Sequence, residues 1–331
     1  MAIHTRKLGP FDVECIGLGC MNLSHAYASP PPIEDARRLL LEAFELGVRH
    51  FDTAALYGFG KNEELVGSTL KPYRGEILLA SKCGMTGVDG KRVIDGRPET
   101  IQRTCEEALN RLETDVIDLY YLHRWDRKVP IEESVGALKR LIEAGKIRAI
   151  GLSEVSANTL RKAARVHPIA AVQTEYSLWT RNPEIAVLEA CDELGTAFVA
   201  FSPLARGFLG GSVRDPAEFQ DKDIRKGMPR FQAPHFAKNL ERLEAFEALA
   251  DEAAGVPPSI LALNWVLGRG RHVHVIPGTT RLEHLRQNIE ADAFDFPPEI
   301  LRGAGLIFNQ KSVSGPRYAA TVQAEIDTEE F

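Results

Sequence analysis

Phe51-Asp52-Thr53-Ala54-Ala55-Leu56-Tyr57-Gly58 is the stretch on which the fold turns. It closes an apolar strand and breaks into a glycine-rich bend, Gly58-Phe59-Gly60. Two further segments end in the same way, Ile77-Leu78-Leu79-Ala80-Ser81 into Lys82 and Ile117-Asp118-Leu119-Tyr120-Tyr121-Leu122 into His123. Strand-like runs recur near 13–18, 49–52, 77–82, 117–122, 148–152, 170–174, 197–201 and 273–276, and helical periodicity fills the intervals. Ile33 to Leu46 shows that periodicity clearly, with Ala36, Leu39, Leu40, Ala43 and Phe44 on one face and Gly47 as the stop. Strands alternating with helices imply parallel pairing through right-handed crossovers. Eight such units with no linker between them predict an α/β protein of one domain over 1–331, a (β/α)8 TIM barrel. Residues 5–16 are expected to form an N-terminal β-hairpin that leads into a first strand at Val13–Ile16. Long loops at 83–98 and 203–239 and an extended C-terminal tail at 295–331 complete the layout.

In such a barrel the strand C-terminal ends share one face. Asp52, Tyr57, Lys82 and His123 are therefore expected to converge. The chemistry of the set is coherent. A phenol titrates near ~10, too high for easy proton donation at neutral pH, unless an ammonium lowers it. Asp52 would keep Lys82 charged and oriented, and a neutral His123 would orient a carbonyl oxygen. Each residue alone has an ordinary alternative as a turn residue, an interface aromatic, a solvated lysine or a strand-end histidine. Four such coincidences at strand ends are less probable than one site.

Composition narrows the partners. A net charge of −6 and a pI near 5.9 leave no basic stripe for nucleic acid or an anionic membrane. No stretch approaches the ~20 apolar residues of a membrane span, and the start at Met1-Ala2-Ile3 lacks a signal-like apolar run. Five scattered cysteines argue against a disulfide framework. A cytoplasmic location is the expectation. Gly17-Leu18-Gly19-Cys20-Met21-Asn22 begins like a dinucleotide fingerprint, but Asn22 replaces its third glycine, so the Rossmann reading is rejected. Gly17 and Gly19 are expected instead to permit close backbone approach. His272 and His274 alternate along a strand, which disfavours a shared metal. No metal is expected.

Ile276-Pro277-Gly278-Thr279-Thr280-Arg281 runs directly into a helix, and its amides, hydroxyls and guanidinium suit a phosphate. The alternative is an ordinary helix cap with a solvated arginine.

These segments, together with GLSE (151–154), VQTEYSLWTR (172–181), FSPLARG (201–207), IPGTT (276–280) and the tail Gly315-Pro316-Arg317-Tyr318, resemble the aldo-keto reductases from about residue 5 to about 290. The resemblance implies NAD(P)H-dependent reduction of aldehydes or ketones, reversible in direction. Tyr57 would be the proton donor, Lys82 its pKa-lowering partner, Asp52 the counter-ion and His123 the orienting group. It assigns Gly278, Thr279, Thr280, Arg281, Gln287 and Asn288 to the adenosine half of the cofactor. Ser153 and Gln173 would hold the nicotinamide carboxamide, with Phe201 under the ring. Gly19, Cys20, Met21, Asp52, Ser202, Pro203, Leu204 and Arg206 complete the cofactor set, whereas Glu154 is given no cofactor role. Gly207, Gly210 and Gly211 either let the loop close over the pyrophosphate or serve as plain turns.

NADPH is expected over NADH because Arg281 can meet a 2′-phosphate. Tyr27 and Trp125 are the substrate-pocket candidates, and Trp179 fits the pocket or the barrel rim equally. A second class of function also fits the resemblance, a cofactor-sensing accessory subunit with slow residual chemistry.

Overall fold

The computed structural model describes residues 3–27, 29–88 and 91–331; Met1 and Ala2, and positions 89 and 90 of the expected 83–98 loop, lie outside them. In chain order the strands are β1 (Thr5–Leu8), β2 (Phe11–Glu14), β3 (Leu18–Gly19), β4 (His50–Asp52), β5 (Leu78–Cys83), β6 (Met85–Val88), β7 (Lys91–Ile94), β8 (Ile117–Leu122), β9 (Ile147–Ser153), β10 (Ala171–Glu175), β11 (Ala197–Phe201) and β12 (Val273–Ile276). Strands β3, β4, β5, β8, β9, β10, β11 and β12 form one sheet in that order, every pairing parallel. A parallel bridge between Ile16 and Val275 joins its two edges, so the sheet closes on itself. The Gly17 amide donates to the Val275 carbonyl and the Val275 amide to the Cys15 carbonyl, each at 2.9 Å.

Glycine makes that closure possible. A Cβ on Gly17 would stand 2.8 Å from the His50 carbonyl oxygen, and one on Gly19 2.7 Å from that of Ile276. The expected close approach at these two residues is therefore a requirement of the seam.

Helices cover the outside because each carries an apolar stripe. In the helix Ile33–Glu45 the buried residues are Ala36, Leu39, Leu40, Ala43 and Phe44, as the periodicity predicts. The hairpin β1–β2 plugs the opposite end, placing Leu8 and Val13 among the inward-facing Leu78, Leu119, Ala149 and Val199. Val13 and Glu14 thus belong to the hairpin, and the first barrel strand is shorter than expected. Its pairing must start after the seam residues Cys15–Gly17, which face β12. The 83–98 segment is not a plain loop, because β6 and β7 pair as an antiparallel hairpin at the barrel mouth. The 203–239 segment is a chain of short turns whose last five residues already belong to the helix His235–Ala254. The tail contains the helices Pro298–Ile307 and Ala320–Gln323. Among the described residues, no helix is long and apolar enough to cross a membrane, and no His/Cys/Asp/Glu cluster could hold a metal. All five cysteines are free and buried.

Candidate active site

Barrel geometry brings the four expected residues together. Asp52 ends β4, Lys82 lies near the end of β5, and His123 follows β8. Tyr57 comes over on a tight turn in which Gly58, Phe59 and Gly60 all have positive φ. Lys82 is fully buried, and its Nζ contacts Asp52 Oδ1, the Thr53 carbonyl at 2.9 Å and the Tyr57 hydroxyl at 3.3 Å. The rings of Tyr57 and His123 meet edge to face with centroids 5.9 Å apart. His123 Nδ1 is buried without a hydrogen-bond partner among the described residues. Asn62, which sequence reasoning passed over, holds this corner. It accepts from Thr53 Oγ1 at 2.6 Å and donates to the Cys20 carbonyl and Ser24 Oγ, both at 2.9 Å. Its only sequence signal was a polar residue at the start of a helix that follows a glycine turn.

Burial pushes the Lys82 ammonium down, but Asp52 and Tyr57 more than offset this and hold it above the ordinary lysine range. For the phenol, the structure reverses the expected net direction. Burial raises Tyr57 above its ordinary value, and Lys82 is the largest influence pulling it back. A water-excluding site disfavours phenolate more than one partly shared ammonium favours it. Tyr57 is thus protonated at neutral pH, with Lys82 placed to stabilise the anion left by donation. Burial, reinforced by Arg124, Lys82 and Arg92, lowers His123 well below the ordinary imidazole range. It is neutral at pH 7.

An elongated cavity of about 1000 Å³ crosses the mouth from Tyr57 and His123 to the start of the helix Leu282–Glu290. Every residue expected to face the cofactor lines it except Cys20, which is buried behind Gly19 and Met21. Tyr27 lines it as well. Trp125 does not, because its indole turns away to donate to the Val129 carbonyl at 2.8 Å. Trp179 packs on Phe208 with ring centroids 4.1 Å apart, so it belongs to the rim. Gln173 lines the cavity too, and its amide donates to Asp52 Oδ2 at 2.7 Å.

The far end of the cavity suits an anionic, adenosine-bearing group. The helix Leu282–Glu290 has no side-chain cap, which leaves its first amides open, and Arg281 makes no carboxylate contact among the described residues. A Cβ on Gly278 would stand 2.9 Å from both the Gly19 carbonyl and Asn22 Oδ1, so glycine keeps the two walls close. Where the loop leaves β11, Ser202, Ala205 and Arg206 have positive φ, an arrangement costing about 1 kcal/mol or more per residue that is concentrated at ligand-facing sites.

A second charged cluster lies over this mouth. The Arg317 guanidinium donates to Glu154 at 2.7 Å, Arg206 donates to Glu175 at 2.7 Å, and Tyr318 donates to Glu175 at 3.2 Å. Glu154, set aside in the sequence, is thus the anchor of the tail. Its positive φ turns it under Arg317, and it also accepts the Glu175 amide at 2.9 Å.

A closed (β/α)8 barrel with an elongated cavity across its C-terminal mouth is the class that fold and site define. Residues 15–302 match the Aldo/keto reductase family, and the chain belongs to it. It is 44% identical over 298 residues to the "Aldo-keto reductase yakc [NADP(+)]" of Schizosaccharomyces pombe, covering 88% of this chain and 87% of that one. It is also 44% identical over 321 residues to the "Probable aldo-keto reductase 1" of Glycine max, covering 96% and 92%. Among solved structures, the glycerol dehydrogenase of Gluconobacter oxydans superposes with a TM-score of 0.84 at 29% identity, covering 94% of this chain and 97% of that one.

Proposed function

We propose that the protein reduces aldehydes or ketones to alcohols with NADPH, and that the reaction runs at Tyr57. One observation carries this reading. A single cavity joins an uncapped helix start, whose Arg281 contacts no carboxylate among the described residues, to a phenol that touches a buried lysine–aspartate pair. The helix start, Thr279, Thr280 and Arg281 would hold the phosphates, Gln287 and Asn288 the adenosine, and Ser153 and Phe201 the nicotinamide, which when bound supplies a hydride. With its amide already committed to Asp52, Gln173 has its carbonyl oxygen left to meet the carboxamide NH2.

The remaining work falls to the chain itself. Neutral His123 orients the carbonyl oxygen toward the phenol. Tyr57 passes its proton to that oxygen, and Lys82 stabilises the resulting phenolate. Asp52 keeps Lys82 charged within a water-poor pocket.

The test is a screen of aldehydes, ketones and sugars with NADPH and with NADH. Turnover with NADPH is expected. Arg281→Ala should raise the NADPH Michaelis constant about tenfold, the range of one charge-assisted hydrogen bond, and change that for NADH little. Equal constants for both cofactors, unmoved by Arg281→Ala, would remove the 2′-phosphate assignment. An inert protein across the whole panel would remove the reductase reading.

A further inference from the structure

The cations that line the cavity fall into two groups. Arg92 pairs with Glu325, Arg206 with Glu175, Arg225 with Asp223 and Lys226 with Asp221. Arg124 and Arg281 also line the cavity, yet neither contacts a carboxylate among the described residues. These two lie at opposite ends. Arg281 stands at the uncapped helix start, where the phosphates of the proposed cofactor belong. Arg124 follows His123 directly and lies at the catalytic end, where that cofactor brings no phosphate.

Arg124 is also held in place. Its Nη1 donates to the His123 carbonyl at 2.7 Å and to Ser153 Oγ at 3.2 Å. Its Nε and Nη2 donate to no protein acceptor among the described residues, so one full edge of the guanidinium is open. That edge is the two-donor fork that matches a carboxylate. Its contacts with the His123 backbone and with Ser153, on the cavity wall, place it beside the catalytic corner. A half-buried guanidinium with no anion is costly to keep, and the partner that satisfies it must arrive with the substrate.

We propose that Arg124 binds a carboxylate carried by the substrate, so that the favoured carbonyl compounds are aldehyde acids or keto acids. This inference rests on the reductase reading above and adds the substrate class to it. Arg124 serves specificity in this account, and the proton transfer stays with Tyr57.

The experiment compares para-formylbenzoate with its neutral isostere para-formylbenzamide, using wild type, Arg124→Gln and Arg124→Lys. Wild type should favour the carboxylate, and salt should erode that preference. Whatever common loss both substrates suffer, Arg124→Gln should lower the ratio of their kcat/KM values by about tenfold or more, mainly through KM of the carboxylate. Arg124→Lys keeps the charge and should restore part of the ratio. As a readout independent of turnover, terephthalate titrated calorimetrically into the NADP+-saturated protein should bind wild type and fail to saturate Arg124→Gln. NADPH binding by fluorescence quenching should stay at the wild-type level.

An unchanged ratio together with unchanged terephthalate binding would overturn the proposal. So would a loss confined to NADPH affinity, which would make Arg124 a cofactor contact. If wild type reduced neither of these nor any compound of the wider panel, the reductase reading would fail, and the terephthalate titration would decide the role of Arg124 by itself.

Discussion

The two buried clusters at the barrel mouth each combine a carboxylate, a cation and a tyrosine, and differ in how densely their polar groups are bonded. In the catalytic corner, the Tyr57 oxygen has Lys82 as its only hydrogen-bond partner among the described residues, and His123 Nδ1 has none among them. In the cluster beneath the tail, Glu175 accepts from Arg206, Tyr318 and Thr180, while Glu154 accepts from Arg317 and a backbone amide. Arg230 joins them through the carbonyls of Trp179 and Gly315. A densely bonded network fixes a structure even where single atoms such as Glu154 Oε2 and Arg317 Nε keep no hydrogen-bond partner among the described residues, whereas open groups facing a cavity are free to act on a ligand. The first cluster is built to react, and the second to hold the tail and the 203–239 loop over the site. Substitutions should separate the two: turnover should collapse in one and stability in the other.

Tyr57→Phe should give the largest effect. The ring, Lys82 and the cofactor-facing residues stay in place, so only the proton donor is lost. General acid catalysis is worth about 10²- to 10⁴-fold. Steady-state turnover should fall by at least that much, while NADPH affinity by fluorescence quenching and the unfolding midpoint barely move. Near-native turnover in this variant would mean that another group supplies the proton, and the contrast between the clusters would lose its catalytic half.

Glu175→Gln should do the opposite. It leaves the Arg206 and Arg317 guanidiniums buried without their shared carboxylate, and breaking such an arrangement costs about 3–5 kcal/mol. Denaturant unfolding should register that loss, and residual activity at low temperature should persist. The pH dependence gives a second handle. Burial alone would raise the Glu175 carboxyl, but Arg317, Arg206 and Arg230 hold it at about 2, below its ordinary 4.5. With the folded pKa depressed, the stabilisation is complete above pH 4.5 and is lost as pH falls toward about 2. The stability gap between wild type and Glu175→Gln should therefore be widest near neutrality and narrow through that window. A gap independent of pH would mean that Glu175 contributes packing and not charge.

The same contrast explains what could be read from the sequence. Asp52, Lys82 and His123 each end a strand with a recognisable apolar run, and parallel pairing brings such ends to one face whatever the loops do. The seam glycines Gly17 and Gly19 were legible for the same local reason. The tail cluster was not, because Glu154, Glu175, Arg206, Arg230 and Arg317 come from five separate segments and no spacing links them. Trp125 illustrates the limit at a single residue. Its position after His123 suggested the pocket, but a hydrogen bond to Val129, four residues on, turned it away. The net direction at Tyr57 also depended on burial, which pairwise chemistry did not include. The 83–98 stretch did carry a turn signal, Asp89-Gly90 between Met85–Val88 and Lys91–Ile94, which the reading of this stretch as a loop passed over.

Tyr318→Phe is the finest probe, because it removes one oxygen from the tail cluster and leaves every charge in place. That hydroxyl donates to Glu175 at 3.2 Å and accepts from Arg206 at 3.0 Å and from Arg317 at 3.1 Å. The ring would still lie 4.4 Å from the Arg317 guanidinium carbon, so the cation–π contact survives. Both arginines keep their carboxylates, and the cost should be about 1 kcal/mol, well short of the Glu175→Gln loss. Tyr318 also lines the cavity, however, and Arg206 reaches Tyr27 at 3.4 Å from the same guanidinium. If the cluster serves only to hold the tail, the variant should show a small drop in the unfolding midpoint, faster proteolytic trimming of the C-terminal segment and unaltered kcat. A fall in kcat as large as that of Tyr57→Phe, at unchanged stability, would place the Tyr318 hydroxyl among the reacting groups and erase the division between the clusters.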